Sequence, residues 1–158
     1  MWDYLRPKLK PYGHFERIES HETAIGTPDI DYCIRGYNNK LELKYTEKDK
    51  GCVLRPSQCS WFKRRVKAEG QPWLLLHANI RGKRSYSLIA GADVPALVNT
   101  KDVVDWIPRA TIVWQDGIDI GQLVQFLGTF LVVDSPDSNG GNPGESSGLI
   151  LPSRLRTS

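Results

Sequence analysis

Polar and apolar residues alternate with period two over Asp29–Ile34 and again over Leu41–Tyr45. That spacing fits strands with one face toward a core. The Arg35–Lys40 segment between them, RGYNNK, carries Gly and Asn and predicts a turn longer than two residues, so the two runs read as a hairpin. Upstream, WDYLRPKLKPYG predicts a short helix interrupted by Pro7 and Pro11 and ended by Gly13; HFERIES after it suits a strand or a helix equally. Downstream, TEKDKG is a polar loop. RPSQCSWFKRRVKAEG then predicts a helix with Pro56 in its first turn and Gly70 just past its end. Cys59, Phe62 and Val66 form its buried stripe.

The nearly continuous apolar run PWLLLHANI predicts a central strand, RGKR a turn, SYSLIA a further strand and GADVPALV a short helix. A last amphipathic helix starts after Asp119, which caps it, with Ile120, Leu123, Val124, Leu127, Phe130 and Leu131 on one face. The order of elements is that of a mixed α/β domain layered from sheet and helices. Residues 1–133 make that domain. From Asp134 the chain turns to DSPDSNGGNPGESSG, which has nothing apolar to bury, so residues 134–158 are expected to be a flexible tail rich in Gly, Ser and Pro.

Composition narrows the class. The length, 158 residues, suits one domain. No apolar run approaches the 18 or so residues of a membrane span. The first residues, MWDYLRPKLK, are too charged for a signal peptide, so a cytoplasmic protein is expected. Cys33, Cys52 and Cys59 cannot all pair and read as reduced thiols. With His14, His21 and His77 they form no CxxC or HxxxH spacing, which argues against structural zinc. No Gly-rich loop ends in Lys-Ser or Lys-Thr, so ATP hydrolysis has no support. The net charge is only +3, but it is unevenly placed: Arg55, Lys63, Arg64, Arg65 and Lys67 sit in RPSQCSWFKRRVK with no acid among them, and the segment from Asp93 to Asp119 holds five aspartates. One basic face toward a polyanion is the reading that gives this asymmetry a use. A merely solvated helix face is the ordinary alternative.

The chemistry concentrates in the hairpin. Glu42 and Lys44 project from one face of their strand, and Asp29 and Asp31 share a face of the other. A turn centred near Arg35–Gly36 sets Asp29 opposite Glu42, whereas one centred on Tyr37–Asn38 sets Asp31 opposite Lys44; the alternation leaves both open. Leu41, Leu43 and Tyr45 then point to the core. Carboxylates crowded this way repel and are stable together only with a cation. Mg²⁺ is bound by one or two carboxylates, with water and phosphate oxygens filling its octahedron. Such a site suits phosphodiester hydrolysis. A lone Glu-x-Lys pair is ordinarily just an exposed pair on a strand. Here it stands in an ordered context.

Pro28-Asp29 followed by Glu42-Leu43-Lys44 is similar to the PD-(D/E)xK nuclease pattern. More closely, about residues 2–90 resemble the small stand-alone VRR-NUC nucleases of phages and bacteria. The likeness rests on His14, Phe15, Arg17, Ile18 and Glu19, on Gly26–Asp29, Tyr32 and Cys33, and on Glu42–Tyr45. It continues through Leu54–Pro56, Gln58, Trp61, Gly70 and Trp73–Leu76. The resemblance implies a restriction-endonuclease-like core, a mixed central sheet flanked by helices. It implies Mg²⁺ (Mn²⁺ as a substitute) held by Asp29, Glu42, the Leu43 carbonyl and Glu19, Lys44 as the catalytic lysine, and Gln58 beside them. Asp31 has no metal role in it. Arg17, Arg55, Lys63, Arg64 and Arg65 are the expected DNA contacts. The implied activity is endonucleolytic hydrolysis of DNA, including branched DNA of the Holliday-junction kind, whose two-fold symmetry favours a homodimer. The alternatives are a DNA-binding module that keeps the fold without cutting, and a metal-dependent phosphodiesterase acting on RNA.

Overall fold

The computed structural model describes residues 1–18, 25–49, 53–98, 100 and 102–129. The hairpin closes more tightly than its composition suggests. Strands β2 (Ile30–Ile34) and β3 (Tyr37–Thr46) are joined by Arg35 and Gly36 alone. Both turn residues have positive φ, 50° and 85°, as a turn matching the strands' twist requires. Gly36 adopts this freely. The second hairpin is built alike: β4 (Trp73–Ile80) and β5 (Lys83–Ala90) flank Arg81 (φ 51°) and Gly82 (φ 78°). With Arg35 and Gly36 as the turn, Tyr37–Lys40 extend β3 instead of forming a loop.

Six strands lie in sequence order in one sheet. The ambiguous HFER segment becomes β1 (His14–Arg17), an edge strand antiparallel to β2. At the other edge, β6 (Ile112–Gln115) pairs antiparallel with β5. Only β3 and β4 run parallel. A parallel pair needs a long crossover, and helix α2 (Pro56–Lys67) supplies it. Strand β4 sits mid-sheet with both faces covered, which explains its unbroken apolar run: Trp73, Leu74, Leu75 and Leu76 are all fully buried. Each is worth about 1.5–3 kcal/mol of burial.

The two faces carry separate cores. One gathers Ile30, Tyr32, Leu41, Trp73, Leu75 and Leu88 under α1 (Trp2–Leu9) and α4 (Ile120–Leu127). The other packs Leu74, Leu76, Ala78 and Ile89 against Cys59 and Phe62 of α2, a 3₁₀ turn at Val94–Leu97, and α3 (Val103–Trp106). The domain is therefore mixed α/β, with helices on both sides of a mixed sheet. In α4 the Asp119 carboxylate caps the start by accepting from the Gln122 N–H at 2.9 Å. The helix ends at Leu127, before Gly128; Phe130 and Leu131, like the tail from 134 and Cys52, lie outside the described residues. Val66, expected in the buried stripe of α2, is only half-buried. Tyr45, expected in the core, is 51% exposed, because it falls at the sheet's rim, past the aliphatic rows. Among the described residues no helix is long and apolar enough to cross a membrane.

Candidate active site

The short turn decides the register. Ile30 partners Leu41 and Asp31 partners Lys40. Carried one residue past the end of β2, the same register places Asp29 opposite Glu42. The Asp29 Oδ2 accepts from the Leu43 N–H at 2.9 Å. One pair further, Leu43 would meet Pro28, which has no N–H to give. The proline that precedes the aspartate thus offers nothing to the Leu43 carbonyl. The other aspartate goes elsewhere: Lys40 Nζ donates to Asp31 Oδ1 at 2.7 Å.

Glu42 and Lys44 partner Leu74 and Leu76 of β4, so both stand on the face covered by α2. That contact brings in Gln58 from the helix's first turn. Gln58 Nε2 donates to Glu42 Oε1. Gln58 Oε1 accepts from Lys44 Nζ and from the Arg55 N–H, each at 3.1 Å. Lys44 Nζ also reaches Glu42 Oε1 at 2.9 Å. The helix start is held close by Gly26, whose φ is 87° and whose added Cβ would stand 2.4 Å from the Ser57 carbonyl oxygen and 2.9 Å from Gln58 N. Any side chain there would push the Asp29 loop off α2. In the sequence Gly26 stands only as part of a motif; its positive φ and the neighbouring helix give the reason.

Glu42 is 1% exposed. Both of its hydrogen-bond donors converge on Oε1, and Oε2 is buried with no partner among the described residues. Burial, then the negative charge of Asp29, push its carboxyl up to about 7, although Lys44 and Gln58 pull the other way. A buried carboxylate oxygen without a donor is costly. A cation supplied at Oε2 would remove both that cost and the Asp29–Glu42 repulsion.

Compared with protein-family models and with curated proteins, the chain matches none. What the site can do therefore rests on its own atoms. Among the described residues no three His, Cys, Asp or Glu side chains form a group able to hold a metal. Asp29 and Glu42 make two, enough for Mg²⁺, which keeps several waters. Glu19, the further expected ligand, lies outside the described residues. The structure thus brings together Asp29, Glu42, Leu43, Lys44 and Gln58.

The expected DNA contacts are more scattered. Arg55, Lys63, Arg64 and Arg65 are exposed on or beside α2. Arg65 follows Gln58 by seven residues and so shares its flank of the helix, whereas Lys63 follows buried Cys59 by four and lies on the other side. Arg17 partners Ile30, which puts it on the opposite face of the sheet from the carboxylates.

Proposed function

We propose that the chain is a Mg²⁺-dependent endonuclease that hydrolyses DNA phosphodiester bonds, a small VRR-NUC-type member of the PD-(D/E)xK nucleases with a restriction-endonuclease-like core. The observation that carries this reading is the buried Glu42 carboxylate. It has two donors on one oxygen, none on the other, and Asp29 beside it.

Asp29, Glu42 and the Leu43 carbonyl are the groups that would hold the ion, and Mn²⁺ can take its place. When bound, the cation supplies Lewis-acid stabilisation of charge on the phosphate and a water of lowered pKa. Lys44 has three N–H donors. Two are committed to Glu42 and Gln58, which leaves one for a water or a phosphate oxygen, close to where negative charge develops. Gln58 fixes that lysine: its carbonyl accepts from the ammonium while its amide holds Glu42. The first amides of α2 have no partner within the helix and favour an incoming phosphate. Exposed Arg64 and Arg65 further along α2 extend the positive potential along the path of the backbone. Branched DNA with two-fold symmetry would be served by a homodimer presenting two such sites.

The test is incubation of the purified protein with labelled duplex, flap, four-way junction and single-stranded DNA, and with single-stranded RNA, with Mg²⁺ or with EDTA. Cleavage of at least one DNA, abolished by EDTA, is expected. Binding without cleavage of any substrate would favour a non-cutting DNA-binding module, and cleavage of RNA alone would refute the DNA assignment.

A further inference from the structure

On the face opposite the carboxylates, successive strands set rings side by side. Tyr45, His77, Tyr86 and Trp114 are partnered positions on β3, β4, β5 and β6, and so share a face. His77 stacks on Tyr86 with centroids 4.2 Å and planes 9° apart, and Tyr45 tilts against His77 at 5.0 Å. The row on one side of the rings is aliphatic: Leu43, Leu75, Leu88 and Ile112. On the other side it is polar: Asn79 partners Arg84, whose carbonyl accepts from the Asp116 N–H at 2.8 Å. The rings mark the edge between core and solvent. A cavity of about 380 Å³ opens there, walled by Tyr4, Tyr45, His77 and Tyr86 and edged by Arg84 and Asp116.

Two features set this apart from an ordinary core wall. Tyr45 and Tyr4 are 51% and 43% exposed, so rings at the mouth keep free surface. His77 Nε2 and, two residues along the same face, Asn79 Oδ1 are buried without a hydrogen-bond partner among the described residues. Orphaned buried polar atoms are unfavourable unless something completes them. Burial and nearby positive charge hold His77 below the usual imidazole range, so it presents one N–H and one bare nitrogen.

We propose that this cavity binds a nucleobase bearing a phosphate, with the ring against Tyr45, its polar edge at His77, and the phosphate at Arg84. Flat walls suit a planar heterocycle, and stacking on aromatic side chains tolerates any base. Arg84 at the edge, and Lys8 with its Nζ 3.9 Å over the Tyr4 ring, disfavour a cationic guest. Asp116 can accept from an exocyclic amine or a sugar hydroxyl. The site goes beyond the nuclease reading: it lies across the sheet from Glu42 and needs no cation.

The test uses the full chain in EDTA and two fluorescent probes: 2-aminopurine deoxyribonucleoside 5′-monophosphate, and a short single-stranded oligodeoxynucleotide containing one 2-aminopurine. Stacking quenches this fluorophore. Tyr45→Ala should weaken binding by about 5- to 160-fold, the range of one lost base stack, while Tyr45→Phe stays within about twofold. Arg84→Gln should weaken the phosphorylated probe and leave the unphosphorylated nucleoside unchanged. Quenching of the mononucleotide with this variant pattern identifies a free nucleotide as the ligand; quenching of the oligonucleotide alone, with the same pattern, identifies a strand. No quenching of either probe, or quenching indifferent to Tyr45→Ala and Arg84→Gln, overturns the proposal.

Discussion

Glu42→Gln isolates the electrostatic penalty in the site. In the folded chain the Glu42 carboxyl is raised from 4.5 to about 7, chiefly by burial and next by Asp29. The native state therefore binds more protons than the unfolded state across that interval, and stability must fall as pH rises through it. Below about 4.5 both states are protonated and there is no penalty; above about 7 the penalty is complete. The gap of 2.5 pH units between about 7 and 4.5, at about 1.4 kcal/mol each, is about 3 kcal/mol. Since Glu42 is 1% exposed, solvent screening removes little of it. The amide of Gln cannot ionise, so in EDTA the variant should lack this pH dependence. At pH 8 it should exceed wild type by up to about 3 kcal/mol, or roughly 6–12 °C in Tm at this chain length. Mg²⁺ at pH 8 should raise the wild-type Tm and leave Glu42→Gln nearly unmoved. The assay is thermal and urea denaturation of both proteins from pH 4.5 to 8, with EDTA and with Mg²⁺. Parallel stability–pH curves would refute the reasoning, since they would mean that Glu42 is not a strained carboxylate.

Three other outcomes are expected. Asp31→Asn should keep most cleavage activity, because that carboxylate pairs with Lys40 at 2.7 Å and is half-exposed; its stability cost should stay below about 1 kcal/mol, and a loss of activity equal to that of Asp29→Ala would contradict the assignment. Gly26→Ala should cost about 2 kcal/mol or more in urea denaturation, since it combines an unfavourable positive φ with a backbone clash at 2.4 Å; a loss under about 0.5 kcal/mol would show that the loop does not press on α2. Neutralising Arg64 and Arg65 together should weaken DNA binding without changing the preferred structure, and flatten the slope of log K against log salt by about 0.9 per lost phosphate contact; an unchanged slope would mean that these charges only face solvent.

Much of this architecture was legible in local patterns. The alternation around Tyr32 and Leu43, the cap at Asp119 and the start of α2 at Pro56 each express a rule that acts within a few residues, and each appears where expected; α2 ends at Lys67, and the positive φ past its end falls on Glu69 and not on Gly70. The Asn residues of the connecting segment favour a longer loop, whereas Arg35 tolerates a positive φ that composition does not advertise. That single point left the choice between Asp29 and Asp31 open. Strand β6 and helix α3 have no signal in the sequence: each spans four residues, too short to declare a period.

Among the site residues, the pairing of Asp29 with Glu42 depends on one turn, and the approach of Gln58 depends on a crossover helix docking across a parallel pair. Both are tertiary facts: the alternation offers the first only as one of two registers, and the second is implied by the family resemblance alone. The orphaned Oε2 of Glu42 has no sequence signal, because it depends on which oxygen two separate donors reach. The row Tyr45–His77–Tyr86–Trp114 was likewise invisible, since its members are adjacent only through three strand pairings.

The central claim, that Asp29, Glu42 and Lys44 form one metal-dependent hydrolytic site, is tested most directly by measuring cleavage of the preferred DNA substrate in Mg²⁺ by wild type, Asp29→Ala, Glu42→Ala and Lys44→Ala side by side, with binding of the same DNA measured in EDTA. Cleavage by wild type alone is expected, with DNA affinity within a few-fold in every variant, because phosphate contacts elsewhere supply the binding. Cleavage at the wild-type rate by any of the three variants would contradict it.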